Sequence, residues 1–175
     1  MEKLPFGNKR YMFIVERLVD AGASPSDVII DCSCGAGTGT LYLQQYFKTV
    51  KAFDISQKVV DKCMEKGVKA QVGNVADLPL PDASVDIFVC SETLEHLRER
   101  DSHIAAQEIL RVCKDGALIC ITVPENRSFC LGNPNHKQYL SPDDLQNHFK
   151  SSKVEFLGQF SKRKGRINTV MVFRK

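Results

Sequence analysis

Apolar positions recur along this chain in two alternating periods. Between residues 8 and 21 they fall at Met12, Val15, Val19 and neighbouring positions, the spacing of an amphipathic helix that Gly22 closes. A short apolar run, Val28–Ile30, leads into Asp31 and a glycine-rich segment. Leu41–Phe47 reads as a helix and Val50–Phe53 as a strand ending in Asp54. Residues 56–66 read as a helix stopped by Gly67, and Val68–Val72 as a third strand. A polar loop with Pro79 and Pro81 precedes a fourth strand, Ile87–Cys90. Residues 102–113 place Ala105, Ile109, Val112 and Cys113 on one helical face, Asp115-Gly116 marks a turn, and Ala117–Val123 is a fifth strand. Ser141 then Pro142 opens a late helix, a hydroxyl cap before a proline at the first helical position. Val154–Leu157 and Thr169–Phe173 are the last strands, joined as a hairpin across a short polar loop. Five strand–helix alternations and this hairpin predict an α/β fold: a Rossmann-like three-layer sandwich on a seven-stranded, mainly parallel sheet with a C-terminal antiparallel hairpin strand. Ligands of such sheets bind at the carboxyl ends of the strands.

The 175 residues carry 24 Lys plus Arg against 21 Asp plus Glu, a net charge of +3, with 43% apolar and 26% charged positions. That is ordinary globular usage and excludes a disordered chain. The length predicts a single domain over 1–175. No membrane span is expected: the longest apolar stretch, Ala117–Val123 with Thr122 inside it, falls far short of the ~18 residues needed. The N-terminus shows no basic start followed by an apolar core, so no secretory signal is read there. The cysteines at 32, 34, 63, 90, 113, 120 and 130 are odd in number and include no Cys-x-x-Cys pair. Neither a disulfide framework nor a zinc knuckle is indicated. Free thiols in strand-like runs, such as Cys90 and Cys120, point to a reducing, cytoplasmic setting.

The segment Ile30-Asp31-Cys32-Ser33-Cys34-Gly35-Ala36-Gly37-Thr38-Gly39 falls at a strand-to-helix turn, where glycines let the backbone approach a ligand. The dinucleotide fingerprint G-x-G-x-x-G fails because position 40 is Thr40, and a Walker A loop fails because no Gly-Lys-Ser/Thr follows. Asp54 ends the next strand, 17 residues after Gly37, where a carboxylate can accept both hydroxyls of a ribose. Then come Gly73-Asn74-Val75-Ala76-Asp77-Leu78-Pro79, Val85-Asp86, and Glu108 through Arg111 to Gly116.

In this order the motifs resemble those of the class I S-adenosylmethionine-dependent methyltransferases, closely over residues 25–123. The resemblance implies S-adenosylmethionine as cofactor, with a binding set of Asp31, Cys34, Gly35, Gly37, Asp54, Ile55, Asn74, Val75 and Ser91. Gly35 and Gly37 would face the methionine part, Asp54 the ribose, and Asn74 with Val75 the adenine. Ser91 would lie near the sulfonium and the acceptor. Three positions depart from the family pattern. Ser33 stands for a Gly. Asn74 stands for an Asp, so that the adenine amine would meet an amide oxygen. Asp115-Gly116 stands for Pro-Gly-Gly in a remote turn.

Methyl transfer from a sulfonium is an in-line displacement in which a protein mainly supplies alignment, worth ~7–11 kcal/mol of barrier. A hydroxyl acceptor must also lose its proton, to a base or beside a metal ion. The fourth strand is followed by Ser91-Glu92-Thr93-Leu94-Glu95-His96. At i, i+3, i+4 spacing, Glu92, Glu95 and His96 would share one helical face, and two carboxylates with an imidazole suit a divalent ion. His136 is a fourth candidate. This Glu-x-x-Glu-His arrangement with a downstream His resembles the ubiquinone-biosynthesis O-methyltransferases and the enzymes that methylate the 2′-hydroxyl at the 3′ end of small RNAs. That resemblance implies a divalent metal, Mg or similar, at Glu92, Glu95, His96 and His136, gathering the acceptor hydroxyls. Metal-free relatives also carry Leu-Glu-His, with the His as catalytic base or as a structural hydrogen-bonder, so without a metal His96 is the candidate catalytic base.

Lys162-Arg163-Lys164-Gly165-Arg166, in the loop of the hairpin, offers four cations to phosphate or carboxylate on an acceptor; as a solvated tip it would only blunt an edge. His103 and His148 fall in exposed-looking helical stretches. The expectation is a methyltransferase acting on a hydroxyl of a small or anionic acceptor, a small molecule or an RNA end. The alternatives are a nitrogen or carbon acceptor, and a methyltransferase-like module that binds without catalysis. Large acceptor-specificity insertions are missing, so the acceptor site would be open or completed by a homodimer mate or a partner subunit.

Overall fold

In a computed structural model, which describes residues 9–161 and 167–175, the amphipathic stretch forms α1, Lys9–Asp20. It buries Tyr11, Ile14, Val15 and Leu18, the i, i+3, i+4, i+7 stripe of a helix with one core-facing side. The strands are β1 (Val28–Cys32), β2 (Thr49–Asp54), β3 (Ala70–Val72), β4 (Val85–Ser91), β5 (Cys113–Pro124), β6 (Lys153–Ser161) and β7 (Ile167–Arg174). They form one sheet in the order β3-β2-β1-β4-β5-β7-β6. β1 to β5 are mutually parallel, and β7 runs antiparallel to both β5 and β6. The strand order reverses between β1 and β4, so a cleft opens at the carboxyl ends of these two strands.

Helices α2 (Thr38–Leu43), α3 (Gln57–Glu65), α4 (Glu99–Val112), α5 (Arg127–Leu131) and α6 (Pro142–His148) complete the layers. Strand residues alternate between two cores. Ile29, Ile87, Val89, Leu118, Cys120, Val170 and Val172 pack with α1 and Leu43 of α2. Ile30, Phe88, Cys90, Ile119, Ile121, Met171 and Phe173 pack with α4 and α6 on the other side. Covering both faces is why these strands read as continuous apolar runs. All seven cysteines are free and buried. Among the described residues no helix is long and apolar enough to cross a membrane.

Several boundaries differ from the sequence pattern. α4 begins at Glu99 and passes directly into β5 at Cys113. The expected Asp115-Gly116 turn therefore lies inside β5, where Gly116 takes φ 83° and the pairing with β4 shifts between Val85 and Ile87. The late helix starts as expected: Ser141 Oγ accepts from the Asp144 N–H at 3.2 Å, and Asp144 accepts from the Ser141 N–H at 2.8 Å. His148 is buried rather than exposed, because α6 lies on α4. Its Nε2 is 2.9 Å from Ser102 Oγ, and its ring stacks on His103 at 4.0 Å. The cationic segment Lys162–Arg166 lies outside the described residues.

Candidate functional site

After β1 the chain turns sharply. Ser33, Gly35 and Gly37 take φ values of 60°, 54° and 75°, a region where a side chain costs roughly 1–2 kcal/mol. Ser33, the departure from the family pattern, adopts the glycine conformation nonetheless, so the loop keeps its path at a local cost. Gly39 has a different reason to be glycine: a Cβ there would meet the Tyr11 ring at 2.1 Å. At the end of β2, Asp54 accepts from the Gly35 N–H at 3.1 Å through Oδ2 and from the Ser56 N–H at 3.0 Å through Oδ1. That carboxylate ties the glycine loop to the position expected for a ribose. Ile55 follows it, 70% exposed.

Other expected cofactor residues are turned inward. Asp31 is fully buried; Tyr11 donates to Oδ1 at 2.8 Å and Thr40 donates to Oδ2 at 2.6 Å. Burial pushes its carboxyl up from 3.8 to about 6, against these hydrogen bonds, which pull it down. Its carboxylate therefore pins α1 and α2 to the end of β1. Cys34 Sγ lies 3.9 Å from Cys63 Sγ, and Cys63 donates to the Gly35 carbonyl at 2.9 Å. Burial raises both thiols, which leaves them protonated and unreactive. Asn74 Oδ1, the oxygen expected to meet the adenine amine, accepts from the Ala76 N–H at 3.0 Å in a local turn. Val75 is buried in the core beneath it. Ser91 is buried at the end of β4, its Oγ 2.8 Å from Thr122 Oγ1.

The structure separates the acidic residues that the spacing groups together. β4 runs to Ser91, Glu92 takes φ 58°, and only Leu94–His96 form a single 3-10 turn. Glu92, Glu95 and His96 would share a face only on a continuous helix, and that helix does not form. Glu92 is directed toward β5 and β7. Its Oε1 accepts from Asn168 Nδ2 and from Thr122 Oγ1 at 3.2 Å, and its Oε2 lies 3.9 Å from the Arg10 guanidinium.

Glu95, 1% exposed, gathers instead with His96 and His136, and the donor atoms of the three lie within 4.8 Å of one another. His96 Nδ1 is 3.1 Å from the Asn135 carbonyl. A carbonyl only accepts, so Nδ1 carries the proton and Nε2 keeps its lone pair. His136 Nδ1 is 3.3 Å from Cys130 Sγ, and its Nε2 is 3.0 Å from the Asn133 amide nitrogen. Two imidazoles and a carboxylate are a donor set for a borderline divalent ion. The three residues fit one if His136 exchanges Asn133 for it. Arg10, Tyr11, Thr40, Thr122 and Asn168 were not marked by sequence reasoning. They reach the site through tertiary packing, and no local spacing signals them.

The family model for the methyltransferase domain matches residues 30–121. A probable S-adenosylmethionine-dependent methyltransferase of Mycobacterium tuberculosis is 28% identical over 144 residues, covering 78% of this chain and 51% of that protein. The chain thus spans about half the length of the curated relatives it matches. Solved structures share its fold, among them the following two. The YcgJ protein of Bacillus subtilis has a TM-score of 0.77 at 17% identity, over 94% of this chain and 97% of that one. A methyltransferase of Haloferax volcanii, in complex with the Trm112 methyltransferase activator, has a TM-score of 0.78 at 16% identity, over 96% and 92%.

Proposed function

The chain belongs to the methyltransferase-domain family, and on that premise we propose that it binds S-adenosylmethionine between its glycine loop and Asp54 and transfers the methyl group to a hydroxyl. The observation that carries this reading is the hydrogen bond from the Gly35 N–H to Asp54. It joins the two elements that would hold the cofactor's methionine part and its ribose, and it does so at the reversal of strand order where α/β sheets place ligands. The protein's contribution is then alignment: the acceptor oxygen must lie in line with the methyl–sulfur bond, beside Ser91 at the end of β4.

The hydroxyl proton needs a destination. His96 supplies one at Nε2, because the Asn135 carbonyl holds its Nδ1–H. A divalent ion held by Glu95, His96 and His136 would lower the pKa of a hydroxyl beside it. Methyl transfer to hydroxyl acceptors, followed as S-adenosylhomocysteine release with and without a chelator, separates the two routes. A rate indifferent to chelation, with a pH limb where imidazole titrates and a large loss in His96→Ala, supports His96 as base. A rate abolished by chelation and restored by an added divalent ion supports the ion. Full activity through both perturbations leaves positioning alone as the mechanism, and transfer to nitrogen acceptors but to no hydroxyl acceptor sinks the hydroxyl reading.

Two partner features belong to the same reading. The helix after β5 is short: α5 spans Arg127–Leu131, and Phe129 and Leu131 are exposed. The Haloferax volcanii neighbour sits in a complex with an activator, and a second subunit or a second copy of this chain is the corresponding element here. The cations of Lys162–Arg166 favour an acceptor that carries phosphate or carboxylate, so replacing Lys162, Arg163 and Lys164 with Ala should raise the acceptor KM and flatten its salt dependence.

A further inference from the structure

The turn that carries His136 also reaches His96, and one side chain joins the two. We propose that Asn133 is a positioning residue that sets which nitrogen of each histidine carries its proton. Its consequence for turnover rests on the reading of His96 as acceptor of the hydroxyl proton; the placement of the protons does not.

The backbone aims the first histidine. Asn133-Pro134-Asn135-His136 has Asn at the first position and Pro at the second, the residues a type I turn favours. The His136 N–H donates to the Asn133 carbonyl at 3.0 Å and closes the turn. The Asn135 N–H donates to Asn133 Oδ1 at 3.0 Å, an Asx turn inside it. A trans peptide points its C=O opposite its N–H. With the His136 N–H directed into the turn, the Asn135 carbonyl is directed out of it, and there it meets His96 Nδ1 at 3.1 Å.

The side chain fixes the second. The Asn133 atom that accepts from the Asn135 N–H must be the amide oxygen, so the other is the NH2. That NH2 lies 3.0 Å from His136 Nε2. It can only donate, so Nε2 accepts and the proton of His136 sits on Nδ1. Nδ1 lies 3.3 Å from Cys130 Sγ, whose own S–H donates to the Gln138 carbonyl at 3.3 Å and leaves the sulfur able to accept. Donors and acceptors thus match without a break from His96 through Asn135, Asn133 and His136 to Gln138. A neutral histidine side chain in water favours Nε2–H; here the hydrogen bonds impose Nδ1–H on both rings. On His96, which is exposed, that form leaves Nε2 with the lone pair a base needs.

Long-range 1H–15N NMR of the chelator-treated chain at about pH 8, where imidazole is neutral, reads the tautomers, with each histidine assigned by its own substitution. In the wild-type chain His96 and His136 should both be Nδ1–H. In Asn133→Asp an oxygen replaces the NH2 while the other oxygen still accepts from the Asn135 N–H. His136 should then gain a proton at Nε2, and His96 should stay as it was. Asn133→Ala loses both side-chain contacts, and His96 should shift towards Nε2–H. Its kcat should fall about 10-fold, part of the roughly 10²–10⁴-fold that a positioned base supplies, with affinity for S-adenosylhomocysteine unchanged. An Nε2–H form at either histidine of the wild-type chain, or tautomers unchanged in both variants, overturns the proposal. The expected tautomers with a wild-type kcat in Asn133→Ala uphold it and overturn His96 as the base.

Discussion

Asp31 should contribute less to stability at neutral pH than at pH 4, and the effect can be isolated. Its carboxyl is sealed beneath Tyr11 and Thr40, and burial raises it from 3.8 to about 6. A raised carboxyl holds its proton in the folded state after the unfolded chain has released it. Stability therefore falls as pH rises between the two values, and is flat below 3.8 and above about 6. At about 1.4 kcal/mol for each pH unit of separation, the loss across the window is about 3 kcal/mol. Asp31→Asn has the same shape and no titration: its oxygen accepts one hydroxyl, and its NH2 donates to the other. The assay is urea unfolding followed by circular dichroism, since the chain has no Trp, at half-unit steps from pH 4 to 7. The expected result is that wild-type stability minus variant stability falls by about 2 kcal/mol from pH 4 to 7, most of the full window, whatever the variant's absolute stability. Titrations elsewhere cancel in that difference. A flat difference would refute the reasoning, and one that grows with pH would mean that the Tyr11 and Thr40 hydrogen bonds outweigh burial.

Ser33→Gly should raise stability by about 0.5–1 kcal/mol, because relief of the left-handed backbone (roughly 1–2 kcal/mol) exceeds the added freedom of Gly in the unfolded chain; a lower thermal midpoint would contradict the strain at φ 60°. Glu108 accepts from the Leu78 N–H at 2.7 Å and from Arg111, whose hydrogen bonds hold its carboxyl below the usual glutamate value. Its stabilisation is present above that usual value and lost as pH falls through the lower folded one. Glu108→Gln should cost about 1–2 kcal/mol at pH 7, discounted for partial solvent screening, and the gap to wild type should close in acid; a gap independent of pH would assign the loss to packing.

Much of the scaffold was legible because its signals are local. Buried parallel strands must be apolar runs, a turn that brings backbone to a ligand wants glycine, and Ser141-Pro142 announces a helix start; each appears where expected. Asp54 was legible for the same reason, as the acidic end of a strand beside a glycine loop. Asp31 shows the limit. An acid before the loop looks like a ligand contact, but Tyr11 and Thr40 seal it, and Tyr11 is brought in by an amphipathic helix whose sequence shows only that it packs. Glu92 shows another. Spacing of i, i+3, i+4 means one face only if the backbone is helical, and a single left-handed residue after β4 sends Glu92 toward Asn168, 76 positions away. Glu95 and His96 stay together because the short 3-10 turn holds both.

The central claim is that the glycine loop and Asp54 form a site for S-adenosylmethionine, and calorimetry with S-adenosylhomocysteine tests it most directly. The wild-type chain should bind it, while NAD and ATP produce no binding heat. Asp54→Ala should weaken binding by roughly 10- to 100-fold, about 1.5–3 kcal/mol for charge-assisted hydrogen bonds to a ribose, with the fold retained by circular dichroism. Absence of binding to the wild-type chain, or an unchanged affinity in Asp54→Ala, would contradict the account.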